Sequence, residues 1–379
     1  MGDGTLSPAA GGEGGVAVSV LVPVRNEADG ILAAVAEMLA QQVEGSMEIL
    51  LADGNSTDGT PELLDALAAQ DDRVRVLNNP LSATPSGLNL CLRHARGKFV
   101  ARMDAHTIYP SNYLQAGITR LERGGTDWVS GPTVPDARGR VSQAVSLALD
   151  GWLGRGNSRK WAKEPAADGA QEEFELDTGV FSGVWRRDKL LELGGWDERW
   201  VRNQDSEMAA RFIEQGARLV CLPEMAAHYR PRDSMRALAR QYVEYGYYRA
   251  ATAQRHPHSM RRSQLLPPLL VLTTSAAVVA PRPVRRAARF ALTLYGAALV
   301  AGAADASRKA PPETAAMLVP VIAVMHFAHA IGFLARVCER GVPWRTLMHL
   351  AGFDGTDTNW APEPVYAPSL RPSTVLEDR

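Results

Sequence analysis

Short apolar runs alternate with stretches of helical periodicity through the first half of the chain. Residues 17–24 are apolar except for Ser19 and predict a buried strand; residues 48–52 and 74–77 predict a second and a third. Between them, residues 31–41 carry apolar positions at helical spacing. Thr60-Pro61 offers an N-cap followed by proline at the first helical position, opening a helix through Gln70. Residues 87–95 read as a further helix, 99–104 as a fourth strand, 128–134 as another strand and 208–215 as a helical run. Strands alternating with helices imply βαβ units, so the predicted fold class is α/β, a doubly wound, mostly parallel sheet. Residues 163–175, charged and rich in Ala and Gly, are expected to form a mobile loop.

The pattern changes beyond about residue 264. Residues 265–280, 290–304 and 315–335 are nearly free of charge, and only the last has the ~20 residues a spanning helix needs. Pro267-Pro268 interrupts the first, and arginines flank it on both sides (Arg261 and Arg262, then Arg282, Arg285, Arg286 and Arg289). Basic flanks belong to the cytoplasmic side, so this segment is expected to be re-entrant or interfacial. The other two then form a hairpin about residues 305–314 that returns to Arg336, Arg340 and Arg345. An Ala-rich soluble helical subdomain is the alternative, since alanine drives insertion weakly. The expected division is a disordered segment over 1–15, a catalytic domain over 16–250, a membrane-associated helical region over 251–345 and a tail over 346–379.

Bulk composition narrows the function. A net charge of −1 over 379 residues argues against a nucleic-acid surface. Cys91, Cys221 and Cys338 stand far apart, which suits a reducing compartment and forms no zinc motif. The first residues are Gly-rich and acidic rather than basic, so the apolar run after them is a strand and not a signal peptide.

The most informative stretch is Arg102-Met103-Asp104-Ala105-His106, at the end of the fourth strand. Residues two apart on an extended chain share a face, so Asp104 and His106 are positioned to reach one divalent ion, and the carboxyl end of such a strand is where open α/β sheets bind ligands. Four further pieces accompany them. Val22-Pro23-Val24-Arg25-Asn26-Glu27 turns from the first strand into a helix and offers backbone groups to a ligand. Asp53, in the small polar turn after the second strand, is placed to accept from a base N–H, with room beside it for a ribose. No G-x-G-x-x-G follows the first strand, which disfavours a dinucleotide fold. Gln204-Asp205-Ser206-Glu207 opens a helix; its acids either complement the helix dipole or supply a general base. Upstream, Gly179 and Gly183 would allow close approach of an acceptor, and Trp196 is either core or a sugar-stacking platform. Finally His228-Tyr229-Arg230-Pro231-Arg232 and the Tyr-rich run to Arg249 supply arginines suited to a diphosphate, a further imidazole for a metal, and tyrosines that also suit a membrane interface.

In this order the five pieces resemble glycosyltransferase family 2, over residues 17–249. The Asp-Ala-His sequence, the Tyr-Arg-Pro-Arg run and the Gln-Tyr…Arg segment are most similar to its succinoglycan-type exopolysaccharide glucosyltransferases. The resemblance implies a nucleotide-sugar fold and inverting, metal-dependent transfer of a single sugar, with Asp205 as the base. Pro23, Arg25, Glu27 and Asp53 would hold the nucleotide, expected to be uridine; Gly183, Gln204, Arg230 and Arg249 would contact substrate. Asp104 and His106, with His228, would bind Mn²⁺ or Mg²⁺ where the family has Asp-x-Asp; an imidazole favours Mn²⁺. The implied partners are a nucleotide-sugar donor, a lipid-linked or polysaccharide acceptor and a membrane, with the catalytic domain on the cytoplasmic face of the inner or plasma membrane. A membrane-tethered binding subunit without activity, fed by Gln204 and His106 replacing the family's Glu and Asp, and a nucleotidyltransferase are the alternatives.

Overall fold

The computed structural model describes residues 15–155, 158, 160–161, 172–308, 310–353 and 364–370. The expected N-terminal disordered segment lies outside them except at residue 15, as does the expected loop up to residue 171.

The amino-terminal part is built as the periodicity predicts. Strand β1 (Val16–Val24), helix α1 (Ile31–Leu39), β2 (Ser46–Asp53), α2 (Thr60–Gln70), β3 (Val74–Asn78), α3 (Thr84–His94) and β4 (Phe99–Arg102) follow one another. β2, β1 and β4 pair in parallel, with Val24 level with Asp53 and Leu21 level with Arg102. Helix α3 begins three residues before the expected Gly87, because Thr84-Pro85 places proline in its first turn. Gly59, in the left-handed region at φ 83°, caps α2, and Thr60 is already helical.

After β5 (Thr107–Ile108) and α4 (Tyr113–Glu122), the single strand expected over 128–134 divides into β6 (Trp128–Ser130) and β7 (Thr133–Pro135). These join different sheets, Gly131-Pro132 making the break. Helices α5 (Arg140–Asp150) and α6 (Trp152–Arg155) precede β8 (Phe174–Glu175), β9 (Gly183–Arg186) and α7 (Arg187–Glu192). Then come α8 (Gln204–Glu214), β10 (Leu219–Cys221), β11 (Ala227–Tyr229) and α9 (Met235–Arg255). The main sheet runs β3-β2-β1-β4-β9-β6-β10-β8, with β9 and β8 antiparallel to their neighbours; a small sheet runs β5-β11-β7. One apolar layer lies on each face of the main sheet. Val20, Ile49 and Phe99 point into one, and Leu21, Leu50 and the Trp128–Trp185–Trp196 cluster into the other. Trp196 is fully buried there, so it is core and not a sugar platform.

The three apolar runs are helices α10 (Leu266–Val279), α11 (Arg282–Ser307) and α12 (Pro312–Arg340), followed by α13 (Trp344–Leu350). By length and composition α11 and α12 could cross a membrane. They differ in packing. α11 and α10 leave Val278, Val279, Phe290 and Leu294 exposed, whereas α12 buries Leu318, Val321, Ile322 and Met325 with Ala144 and Val145 of α5 and Leu238 of α9. Helix α9 continues unbroken past residue 250 and lies along α12. Their contact is backbone-close: a Cβ on Gly246 would fall 1.9 Å from the His329 carbonyl oxygen, and one on Gly332 would fall 1.9 Å from that of Val243. Residues 364–370 return to the α/β part, where the Tyr366 carbonyl accepts from the Glu198 backbone N–H at 2.8 Å.

Candidate active site

The chain leaves β1 for β2 on one side and meets β4 on the other, so the carboxyl ends of β1 and β4 form the crevice where ligands of open α/β sheets bind. Two loops at these ends are tied together. The Asn26 and Glu27 backbone N–H groups donate to Ser56 Oγ at 2.8 Å and Thr60 Oγ1 at 2.9 Å, and the Thr57 N–H donates to Asn26 Oδ1 at 2.8 Å. Asn26 and Asn55 take left-handed φ values of 54° and 57°, a conformation asparagine adopts more readily than most residues. Pro23 lies half-buried below this pair, and Arg25 is exposed beside it, reaching the Ser82 carbonyl at 3.4 Å. Asp53 Oδ2 accepts from the Ser56 N–H at 3.3 Å, while its Oδ1 is buried with no partner among the described residues. An acceptor left open in this way is what a donor N–H of a bound base would satisfy.

On the β4 side, Arg102 organises the site. Its guanidinium donates to both Asp104 oxygens, at 2.8 and 2.9 Å, and to Asp205 Oδ1 at 2.7 Å. Positions 102 and 205 are far apart in sequence, yet one side chain joins them. Arg102 is the only charge within its strand and is almost wholly buried. A buried guanidinium must be paired, and two carboxylates pair it. The Asp104 N–H donates to the Tyr109 hydroxyl at 2.9 Å, fixing the backbone from which the carboxylate projects.

Asp205 sits in the first turn of α8, behind Asn203 at φ 59°. Burial pushes its pKa up to about 6; Arg102 opposes the rise and Asp104 adds to it. A carboxylate poised this near neutrality suits proton abstraction. Gln204 precedes it, buried and facing the same cavity.

His106 is largely exposed, with Nδ1 3.3 Å from Glu27 Oε1. That contact raises its pKa, with burial opposing. No three acidic, imidazole or thiolate groups converge as a metal cage among the described residues. Asp104 and His106 do fit a two-donor site completed by a substrate diphosphate, the usual arrangement for nucleotide-bound Mg²⁺ or Mn²⁺. Each carboxylate oxygen keeps a second lone pair, so Arg102 does not close Asp104 to an ion.

His228 does not join them. It lies on β11, where side chains alternate; Tyr229 lines the shared cavity and the neighbouring His228 does not. Gly183 is also placed differently from its expected role. A Cβ there would fall 2.2 Å from the Trp128 indole nitrogen, so the glycine makes room for the core and not for an acceptor. Gly179 does border the cavity, where a Cβ would fall 2.0 Å from the Asp205 carbonyl oxygen.

A cavity of about 1040 Å³ begins at Asp104, His106 and Asp205 and continues under α9 toward α10, α11 and α12. Arg230, Tyr242, Tyr245 and Arg249 line it, so these tyrosines border the cavity rather than an interface belt. Lys160 and Trp161, which the sequence reading missed, line it too, and Trp161 stacks 5.7 Å from Tyr229. Nothing in their local sequence marks them. Arg102 could have been found, as a lone charge in an apolar strand.

Residues 19–168 match the family model described as Glycosyl transferase family 2. The succinoglycan biosynthesis protein ExoA of Rhizobium meliloti (strain 1021) is 28% identical over 250 residues, covering 65% of this chain and 73% of that protein. The beta-monoglucosyldiacylglycerol synthase of Nostoc sp. is 27% identical over 208 residues, covering 52% of this chain and 38% of the synthase. Among solved structures, the mannosyltransferase PcManGT of Pyrobaculum calidifontis, in complex with GDP-Man and Mn2+, shares the fold with a TM-score of 0.54 at 20% identity, covering 84% of this chain and 86% of that one.

Proposed function

We propose that the chain is a glycosyltransferase of family 2 that moves one sugar from a nucleotide sugar, UDP-linked, to a lipid-linked or polysaccharide acceptor with inversion at the anomeric carbon. The setting is exopolysaccharide or envelope-glycan synthesis at the cytoplasmic face of a membrane, as the name of the Rhizobium relative and the exposed apolar surface of α10 and α11 support.

The observation that carries this reading is the Asp104–Arg102–Asp205 bridge. It holds on one guanidinium the carboxylate suited to an ion on the donor diphosphate and the carboxylate suited to the acceptor hydroxyl, so that both border the place where one displacement would occur. Asp53 receives the base, and Pro23, Arg25 and Glu27 border the nucleotide. Asp104 and His106 would hold a divalent ion, which would supply positive charge to offset the negative charge developing on the departing diphosphate. Asp205 takes the proton of the acceptor hydroxyl; that oxygen forms the new bond to the anomeric carbon as the bond to the diphosphate breaks. Arg102 keeps Asp205 oriented, and Arg230 faces the developing negative charge. Mn²⁺ accompanies GDP-Man in the Pyrobaculum enzyme, which supports a divalent ion here.

The test is release of nucleoside diphosphate from a panel of UDP- and GDP-sugars, with and without Mn²⁺. Metal-dependent release from one donor supports the reading; release of pyrophosphate, or of nothing from any donor, overturns it.

A further inference from the structure

Near its carboxyl end the chain lays Pro364-Val365-Tyr366-Ala367-Pro368-Ser369-Leu370 against the α/β part, closing in a short 3-10 turn. Two prolines in seven residues reduce the entropy lost on ordering it. Its seat is a turn built on glycine. Gly194 and Gly195 take left-handed φ values of 78° and 61°. A Cβ on Gly194 would stand 3.2 Å from Val365 Cβ, and one on Gly195 would stand 2.7 Å from Leu370 Cδ1. Polar bonds fasten the segment along its length. The Pro364 carbonyl accepts from Arg199 Nη2 at 3.0 Å, the Tyr366 N–H donates to Asp197 Oδ2 at 3.3 Å, and the Ser369 hydroxyl donates to the Glu198 carboxylate.

The turn beneath this segment is bound to the helix that carries Asp205. Arg211 of α8, buried and paired with Glu207, donates to the Leu193 carbonyl at 2.5 Å and to the Gly195 carbonyl at 2.6 Å. Asp205 lies less than two turns earlier on that helix. A second tie runs through Asp197, whose Oδ2 accepts from Tyr366 and also from Arg255 of α9 at 2.5 Å. From the other side Asn89 of α3 accepts from the Trp196 N–H at 2.9 Å and donates to the Trp196 carbonyl at 2.7 Å and the Glu198 carboxylate at 2.9 Å. A pair of glycines has no side chains with which to hold its own conformation, so the turn is as rigid as what packs on it.

We propose that residues 364–370 are a positioning strap for the general base: seated on the 194–198 turn, they hold α8 where Asp205 meets Arg102. This rests on the transferase reading above and adds to it a segment remote in sequence from every site motif. None of the seven, all among the described residues, lines the cavity, so the strap acts through the turn and α8 and not by touching substrate. Displacing a reacting group by about 1 Å can cost about 10²-fold in rate. Loosening the seat therefore acts on turnover, while donor binding depends on Asp53 and Asp104 at the ends of β2 and β4.

The test compares Val365→Asp and Leu370→Asp, each setting a charge against the glycine turn, with Leu370→Met, which keeps the apolar seat, all in the full chain. Thermal stabilisation by UDP with Mn²⁺ should match the wild type in every variant and so show that each one folds. UDP release, measured well below the Tm of each variant, should fall about tenfold or more in kcat in both Asp variants, with donor KM within about twofold. Leu370→Met should turn over as the wild type does. Hydrogen exchange in the Asp variants should quicken over 194–198 and at the Ser206 and Glu207 amides, which bond the Asn203 carbonyl in the first turn of α8. A strap that adds stability alone would lower Tm and spare turnover. Turnover within about twofold of wild type in both Asp variants, or unchanged exchange at Ser206 and Glu207, therefore overturns the proposal. A wild type that releases no nucleoside diphosphate from any donor strikes the transferase reading instead, and the exchange comparison still decides whether the strap holds α8.

Discussion

Replacing Asp205 by Asn isolates the proton-transfer step. The substitution keeps an oxygen to accept from Arg102 Nη1, now at 2.7 Å, and Arg102 retains both bonds to Asp104. Burial already holds the Asp205 pKa near 6, about two units above an ordinary aspartate, so ionising it in place costs about 3 kcal/mol. A neutral amide removes that cost, and the fold should survive with little change in Tm. Turnover should not. Loss of a positioned general base costs about 10²–10⁴-fold, equivalent to roughly 3–5 kcal/mol of barrier. The assay is UDP release at saturating donor with Mn²⁺, beside nucleotide binding followed by calorimetry. The expected pattern is unchanged nucleotide affinity with turnover down at least a hundredfold. The wild type should also lose activity on the acid side, about tenfold per pH unit below 6, because the base works ionised. Turnover of Asp205→Asn within about threefold of wild type would refute the role, since no other group would then be needed for the proton.

Three other outcomes follow from the same contacts. Gly246→Ala should lower Tm, by about 1–3 kcal/mol of stability, because its Cβ would meet the His329 carbonyl at 1.9 Å; a rise, as alanine gives in an uncrowded helix, would show that α9 and α12 are not so close. His256, wholly buried, bonds Glu214 at 2.7 Å and Glu207 at 3.4 Å; burial opposes its charge, but these bonds outweigh it and raise its pKa. Its contribution is therefore complete below the unfolded value near 6.5 and is lost as pH rises through the higher folded value, so the Tm gap between wild type and His256→Gln should be widest near pH 6 and narrow in alkali. A gap independent of pH would contradict this. Asp53→Asn turns an acceptor into a mixed group at the open Oδ1 and should weaken uridine nucleotide binding about tenfold in calorimetry, with unchanged affinity contradicting the base contact.

The amino-terminal half was legible because each element there is specified by its own residues: apolar runs for β1, β2 and β4, and Thr60-Pro61 for α2. Asp104 and Asp205 were legible as chemistry, but their union through Arg102 was not, since only the folded sheet brings positions 102 and 205 together. His228 and Gly183 misled for a related reason. Which face of β11 a side chain takes depends on register with β5 and β7, and Gly183 answers to the Trp128 indole across the sheet. In the apolar third, composition reports that α12 is hydrophobic but not what covers it; here α5 and α9 cover much of it, which periodicity alone does not encode. Lys160 and Trp161 stand beside the site through tertiary placement only.

The most direct measurement is an anomalous-scattering map from a crystal of the full chain soaked with MnCl₂ and UDP. The account predicts one manganese peak at coordination distance from Asp104 and the His106 imidazole, bridged to the diphosphate, with Asp205 outside the coordination shell and facing the cavity. A peak bound by Asp205, or one that leaves both Asp104 and His106 without contact, would contradict it.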